Sequence, residues 1–107
     1  MAGQSQFTKA VEIMQSLPRD GKVKPSGETP LKLHALYQQG SQGDMNTARP
    51  GVLDAAGKIR WDTWNELRGT SREDAMDRYV ALALEVLEPV AADDAATAAK
   101  VDAIKNT

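Results

Sequence analysis

The sequence predicts an all-α domain of four helices with an irregular connection before the third. Three observations carry this reading. Apolar residues recur at helical spacing in four separate stretches, Pro and Gly clusters punctuate those stretches, and no alternating run of β type interrupts them. The 107 residues suit one domain and suffice to bury a core.

The first helix is predicted over 4–17. Phe7, Ala10, Val11, Met14 and Leu17 fall on one face of a 3.6-residue period, and Pro18 stops it. Residues 18–25 hold two prolines, Gly21 and alternating charge, and read as a loop. The second helix starts at Ser26 or Thr29, with Pro30 in its first turn, and runs out near Gly40. Its apolar side is Leu31, Leu33, Leu36 and Tyr37. From Gln42 to Gly57 the periodicity vanishes into turn chemistry, with Pro50-Gly51 fitting the centre of a type II turn. A loop this long in a small domain is more often functional or self-packed than floppy.

The third helix spans about Lys58 to Arg68 with Gly69 as its cap, and Trp61 and Trp64 share a side. Ser71 and Asp74 form an imperfect capping box for the fourth helix. Ala75, Met76, Tyr79, Ala83, Val86 and Leu87 give its face, and Pro89 ends or kinks it near Glu88. The alanine-rich tail, 89–107, has high helix propensity but only Val101 and Ile104 to anchor it. It is expected as a loosely docked helix or an extension beyond a domain at 4–88.

Composition narrows the function. Thirteen Lys and Arg against fifteen Asp and Glu give a net charge of -2, which disfavours nucleic acid as a partner. With no cysteine and one histidine, disulfide scaffolds, cysteine nucleophiles and transition-metal sites lose their ligands. No phosphate-loop or dinucleotide motif occurs, and nothing positions a serine beside His34. No stretch is apolar enough to span a membrane and the opening residues lack a signal-peptide pattern. A cytoplasmic monomer is the expectation.

What remains is aromatic and cationic. Tyr37, Trp61 and Tyr79 lie on three different predicted helices, and each ring suits either a core or a ligand face. Lys58 and Arg60 open the third helix, where backbone N–H groups and side chains together attract anions such as phosphate.

The stretch from Gly43 to Tyr79 reads GDMNTARPGVLDAAGKIRWDTWNELRGTSREDAMDRY. It resembles the acyl-CoA-binding protein family, whose pattern runs G-D-x-N-T-x-R-P-G, G-K-x-[KR]-W-x-x-W, then G-x-S-x-x-x-A and a later tyrosine. Upstream, Leu33, Tyr37 and Gln39 fit the family's L-x-x-x-Y-x-Q phrase. The resemblance covers about Gln4 to Glu88 and leaves the tail outside. The 18–24 loop looks longer than the family's usual link.

The resemblance implies a four-helix bundle in up-down-down-up order that is not an enzyme and carries no cofactor or metal. Its implied partner is medium- to long-chain fatty acyl-CoA, bound reversibly for transport and buffering, with transient membrane contact for delivery. Tyr37 and Tyr79 are then the tyrosines that hold the nucleotide. Arg60 stands in for a lysine that pairs with the 3′-phosphate, and arginine keeps that charge and adds a bidentate fork. Trp61 would line the site, Trp64 would be core, and Leu31 and Val11, with Met14 nearby, would line the acyl groove.

Several positions depart from the family. His34 replaces an adenine-enclosing tyrosine, Gln38 and Ala56 replace lysines, and Gln15 is neutral where the first helix often carries a lysine. His34 could stack on adenine and gain charge in acid, or be a solvated helix residue. The phosphate component of binding is expected to be weaker or more salt-sensitive. A helical interaction module without the ligand, and an enzyme on acyl thioesters, are the rival readings.

Overall fold

The computed structural model describes residues 3–18 and 21–107. Met1 and Ala2, and Arg19 and Asp20 of the expected 18–25 loop, lie outside the described residues. Among the described residues every regular element is helical: α1 (Gln4–Gln15), α2 (Thr29–Gln42), α3 (Ala55–Asn65), α4 (Arg72–Ala91) and α5 (Ala95–Lys105). The first four form the bundle. No helix among these residues is long and apolar enough to cross a membrane.

Several boundaries differ from the sequence expectation for local reasons. The first helix stops at Gln15, because Ser16 caps it through its hydroxyl on the Ile13 carbonyl at 3.1 Å. α2 runs past Gly40 to Gln42 and ends where Gly43 takes φ 85. Gly40 is a packing residue rather than a terminator. A Cβ there would stand 3.2 Å from both Phe7 Cζ and Met76 Cγ, so α1 and α4 approach α2 through the missing side chain. The 50–51 pair is not the centre of a type II turn, since Gly51 lacks a positive φ. The turn falls one step later, closed by Asp54 N–H on the Gly51 carbonyl at 3.1 Å.

α3 begins three residues before Lys58, because Asp54 caps it by accepting from the Gly57 N–H at 2.9 Å. The expected Ser71 cap holds α4, accepting from Asp74 N–H at 3.0 Å. Pro89 does not end α4. It sits in the last turn, where its missing N–H removes a single ladder bond, and Ala92 N–H still reaches the Glu88 carbonyl.

The tail is a fifth, docked helix rather than a loose one. Asp94 caps α5 by accepting from Thr97 N–H, and Lys22 pairs with Asp94 at 3.6 Å. Val101 and Ile104 anchor it as expected, with Thr97 buried beside them. Gln6 donates to the Ile104 carbonyl at 2.9 Å, and Lys105 meets Glu88 at 3.5 Å. α5 thus closes the bundle against α4 and α1.

α4 is the hub, packed on α1, α2 and α5. The main core joins Phe7, Ala10, Leu33, Leu36, Met76, Tyr79, Val80, Ala83 and Leu87 with Val101 and Ile104. Val23 of the α1–α2 link enters it too. A smaller cluster of Ala35, Met45 and Trp64, with Trp61 and Leu67 against it, sits under the 43–54 connection.

Candidate functional site

Packing of α1, α2 and α4 leaves a cavity of about 240 Å³ beside the core. α1 contributes Met14 and Gln15 to its wall. Pro30, Leu33, His34 and Tyr37 come from α2, Pro25 from the link before it, and Tyr79 from α4. The α2 residues 30, 33, 34 and 37 share one helical face, which is why one helix supplies half the lining.

Tyr37 and Tyr79 line this wall, and Phe7 packs against both from the side of the core. Phe7 stacks on Tyr37 at 6.4 Å between centroids and meets Tyr79 edge-on at 5.4 Å. Tyr79 is 4 % exposed, and its burial, then the neighbouring Tyr37, pushes its phenol up to about 12. No hydroxyl of the tyrosine pair has a hydrogen-bond partner among the described residues, yet no side-chain polar atom there is both buried and unsatisfied. Both phenol oxygens therefore keep some exposure, on rings that line the cavity.

A second cavity of about 320 Å³ lies across Tyr37, whose ring lines both. Val11 lines this second space with Phe7, Gly40 and Met76, and Arg72 closes it, donating to the Gly40 carbonyl at 3.1 Å.

On the exposed side of α2, His34 belongs to a short polar chain. Gln42 donates to Gln38 Oε1 at 2.7 Å, and Gln38 Nε2 stands 3.4 Å from His34 Nε2. An amide N–H donates only to a ring nitrogen without its proton. Desolvation, then the Arg60 guanidinium, holds the imidazole below its usual range, so His34 is neutral at pH 7. Arg60, exposed on α3, is near enough for its charge to act on His34, but it lines neither cavity. Arg60 and Lys58 have no ion pair among the described residues.

The other expected residues are dispersed. Leu31 is half-buried on the face of α2 that carries His34 and Gln38, and lines neither cavity. Ala56 is exposed at the start of α3. Trp61 is half-buried away from both cavities. Its indole donates to the Thr47 carbonyl at 2.8 Å, which ties α3 to the 43–54 connection. Trp64 is core, 7 % exposed. Phe7 and Arg72 were missed as site residues by sequence reasoning. Phe7 had a signal, since it precedes Val11 and Met14 by four and seven positions on one helical face.

Comparison with known proteins agrees over this region and beyond it. The family model described as "Acyl CoA binding protein" matches residues 4–83. The acyl-CoA-binding protein homolog 3 of Caenorhabditis elegans is 37% identical over 109 residues, covering 100% of this chain and 94% of that protein. The acyl-CoA-binding domain-containing protein 5 of Xenopus laevis is 43% identical over 91 residues, which is 85% of this chain. The chain spans only 20% of that longer relative's length. The crystal structure of ACBP from Moniliophthora perniciosa superposes with a TM-score of 0.92 at 39% identity, covering 99% of this chain and 98% of that one. The last match takes in α5, which the motif-based resemblance left outside.

Proposed function

The chain belongs to the acyl-CoA-binding protein family, and from that premise we propose that it binds medium- to long-chain fatty acyl-CoA esters reversibly, without catalysis. In this reading it is a cytosolic carrier that buffers and transports them. The observation that carries the reading is a pair of unpartnered tyrosine hydroxyls on one cavity's lining residues, with an unpaired guanidinium whose charge reaches His34 on the same wall. The Tyr37 and Tyr79 hydroxyls and the Arg60 guanidinium have no bond or ion pair among the described residues.

Those groups match what the ligand asks for. Coenzyme A brings an adenine ring, a ribose 3′-phosphate and a diphosphate, which call for flat rings, hydroxyl donors and cations. Arg60 is assigned the 3′-phosphate, Tyr37 and Tyr79 the nucleotide, and neutral His34 a stacking contact. Gln38 and Gln15 offer amide donors where lysines would offer charge. Val11, on the apolar side of Tyr37, and Leu31 are assigned to the acyl chain. The indole of Trp61 supports the site by holding α3 in place.

The energetics require both halves of the ligand. A sixteen-carbon chain offers on the order of 10 kcal/mol on burial, before the costs of association. Nanomolar binding needs about 12 kcal/mol. Chain-length preference then comes from the apolar wall and not from the cations.

Calorimetric titration with palmitoyl-CoA, with free CoA and palmitate as controls, tests the proposal. Tight binding of the thioester and weak binding of each half is the expected result. No heat from the thioester overturns it and turns the search to protein partners of the bundle.

A further inference from the structure

We propose that α5 positions one wall of the ligand cavity, through the Asp94–Lys22 ion pair and the link segment that leads to Pro25; this rests on the acyl-CoA reading above.

The link between α1 and α2 reaches that wall. Pro25 lines the cavity of about 240 Å³ with Met14, Gln15 and Pro30. Backbone structure does not hold Pro25 there. Gly21 N–H bonds the Pro18 carbonyl at 3.1 Å, and Thr29 N–H bonds the Ser26 carbonyl at 3.2 Å. Between those two turns, residues 22–25 make no backbone hydrogen bond among the described residues. Such a segment opens easily unless its side chains hold it.

Two side chains do so. Val23 is buried, 7% exposed, in the core cluster that also contains Val101 and Ile104 of α5. Lys22 meets Asp94 at 3.6 Å. Asp94 is a fixed partner, because it accepts from both the N–H and the hydroxyl of the buried Thr97. An extended chain spans about 3.6 Å per residue at most, which keeps Pro25 within about 11 Å of Lys22. Neither the link nor α5 carries a residue of the motifs that mark the family, and the two are bonded to each other.

The brace has a use at the cavity. A wall held in place before the ligand arrives needs no ordering when it binds, and this adds to affinity. Lys22, Val23 and Asp94 are thus positioning residues that act through Pro25. The Lys22 side chain is 69% exposed, so the pair is a weak one and its effect is a few-fold.

The test is calorimetric titration of the whole chain with palmitoyl-CoA. Asp94→Asn keeps a capping side chain, since Asn caps as well as Asp, and removes the charge that holds Lys22. Lys22→Gln removes the other half of the pair. Affinity should fall about threefold in each variant, and no further in the double variant, because both remove one interaction. Lys22→Arg, which keeps the charge, should bind as wild type does. The sign of the Asp94→Asn effect is diagnostic: loss of a negative charge would by Coulomb's law alone tighten binding of an anionic ligand. Lys105→Gln breaks another exposed ion pair of α5, with Glu88, away from the link, and should leave affinity unchanged. Equal or tighter binding by Asp94→Asn, losses that multiply in the double variant, or a matching loss in Lys105→Gln overturns the proposal. Absence of palmitoyl-CoA binding in wild type is a separate result, and overturns the acyl-CoA reading itself.

Discussion

The 43–54 connection and the cavity between α1, α2 and α4 are built on opposite terms. In the connection, polar groups are answered by one another. Gln39, wholly buried, donates to Asp44 at 3.0 Å and to the Thr70 carbonyl at 2.8 Å, and accepts from the Trp64 indole at 3.0 Å. Asp44 also accepts from Gly69 N–H, and that bond, then Gln39, holds its carboxyl below the usual range. Arg49 clasps Asp62, and Trp61 holds Thr47. On the cavity wall the Tyr37 and Tyr79 hydroxyls are left without partners among the described residues. Satisfied polar groups fix a loop, and unsatisfied ones at a cavity wall are free to meet a ligand.

The sharpest way to break this contrast is Gln39→Leu. It removes a hub whose three bonds tie α2 to the connection, to α3 and to the residue before the α4 cap. The Thr70 carbonyl loses its donor in a half-buried setting, and Asp44 loses one of two. We expect a loss of about 3 kcal/mol in unfolding free energy, read from the urea midpoint. Palmitoyl-CoA affinity of the folded fraction should be unchanged. An affinity loss with little loss of stability would show that the connection is part of the site.

Tyr79 tests the other side of the contrast. Its phenol titrates near 10 in the unfolded chain and at about 12 when folded. The folded state binds the proton more tightly, so this contribution is complete below pH 10 and is lost as pH rises towards 12. The alkaline fall should be on the order of 2 kcal/mol in wild type. Tyr79→Phe should flatten it, as measured by urea unfolding at several pH values between 9 and 12. An equal slope in both proteins would place the phenol in water.

The contrast also explains what the sequence made legible. The motif that stood out most, from Gly43 to Tyr79, contains much of the scaffold network. Its residues need fixed spacing because each bonds another, and fixed spacing is what a reader recognises. The helical core was legible from periodicity, down to Val101 and Ile104 as anchors of the tail. The docking of α5 was not, because it rests on bonds between distant positions, such as Gln6 with the Ile104 carbonyl. Helix ends were missed where a side chain decided them, as at Ser16 and Asp54. Pro89 misled because its cost depends on which turn it occupies. The cavity wall was only partly legible. Tyr37, Tyr79 and His34 stand on it, while Phe7 looked like any other core ring.

Arg60→Ala sharpens the comparison from the ligand side. The guanidinium has no partner to lose, so thermal stability should stay within the scatter of surface substitutions. Palmitoyl-CoA affinity should fall about tenfold, as for one charge-assisted contact to phosphate, and the fall should shrink at high salt. Arg49→Ala is its counterpart. That residue has a partner, so the variant should loosen the connection and lower the melting temperature with little effect on affinity. If the two variants exchanged phenotypes, the division between answered and unanswered charges would be wrong.

The smallest expected effect belongs to His34, where the two kinds of environment meet. Burial and the charge of Arg60 hold its imidazole below its usual range. The unfolded chain therefore takes up a proton first as pH falls. This contribution to stability is present above about pH 6.5 and is lost in acid. A bound phosphate reverses the local field, because it neutralises Arg60 and attracts an imidazolium. The complex should thus take up a proton where the free protein does not, and affinity for palmitoyl-CoA should rise a few-fold between about pH 8 and pH 5.5. Titrations at the lower pH in two buffers of different ionisation enthalpy should give different heats for wild type and the same heat for His34→Gln. An affinity independent of pH in wild type would mean that no phosphate comes near His34. The polar chain from Gln42 through Gln38 would then be surface structure, and the ligand would approach the cavity from the Val11 side of Tyr37.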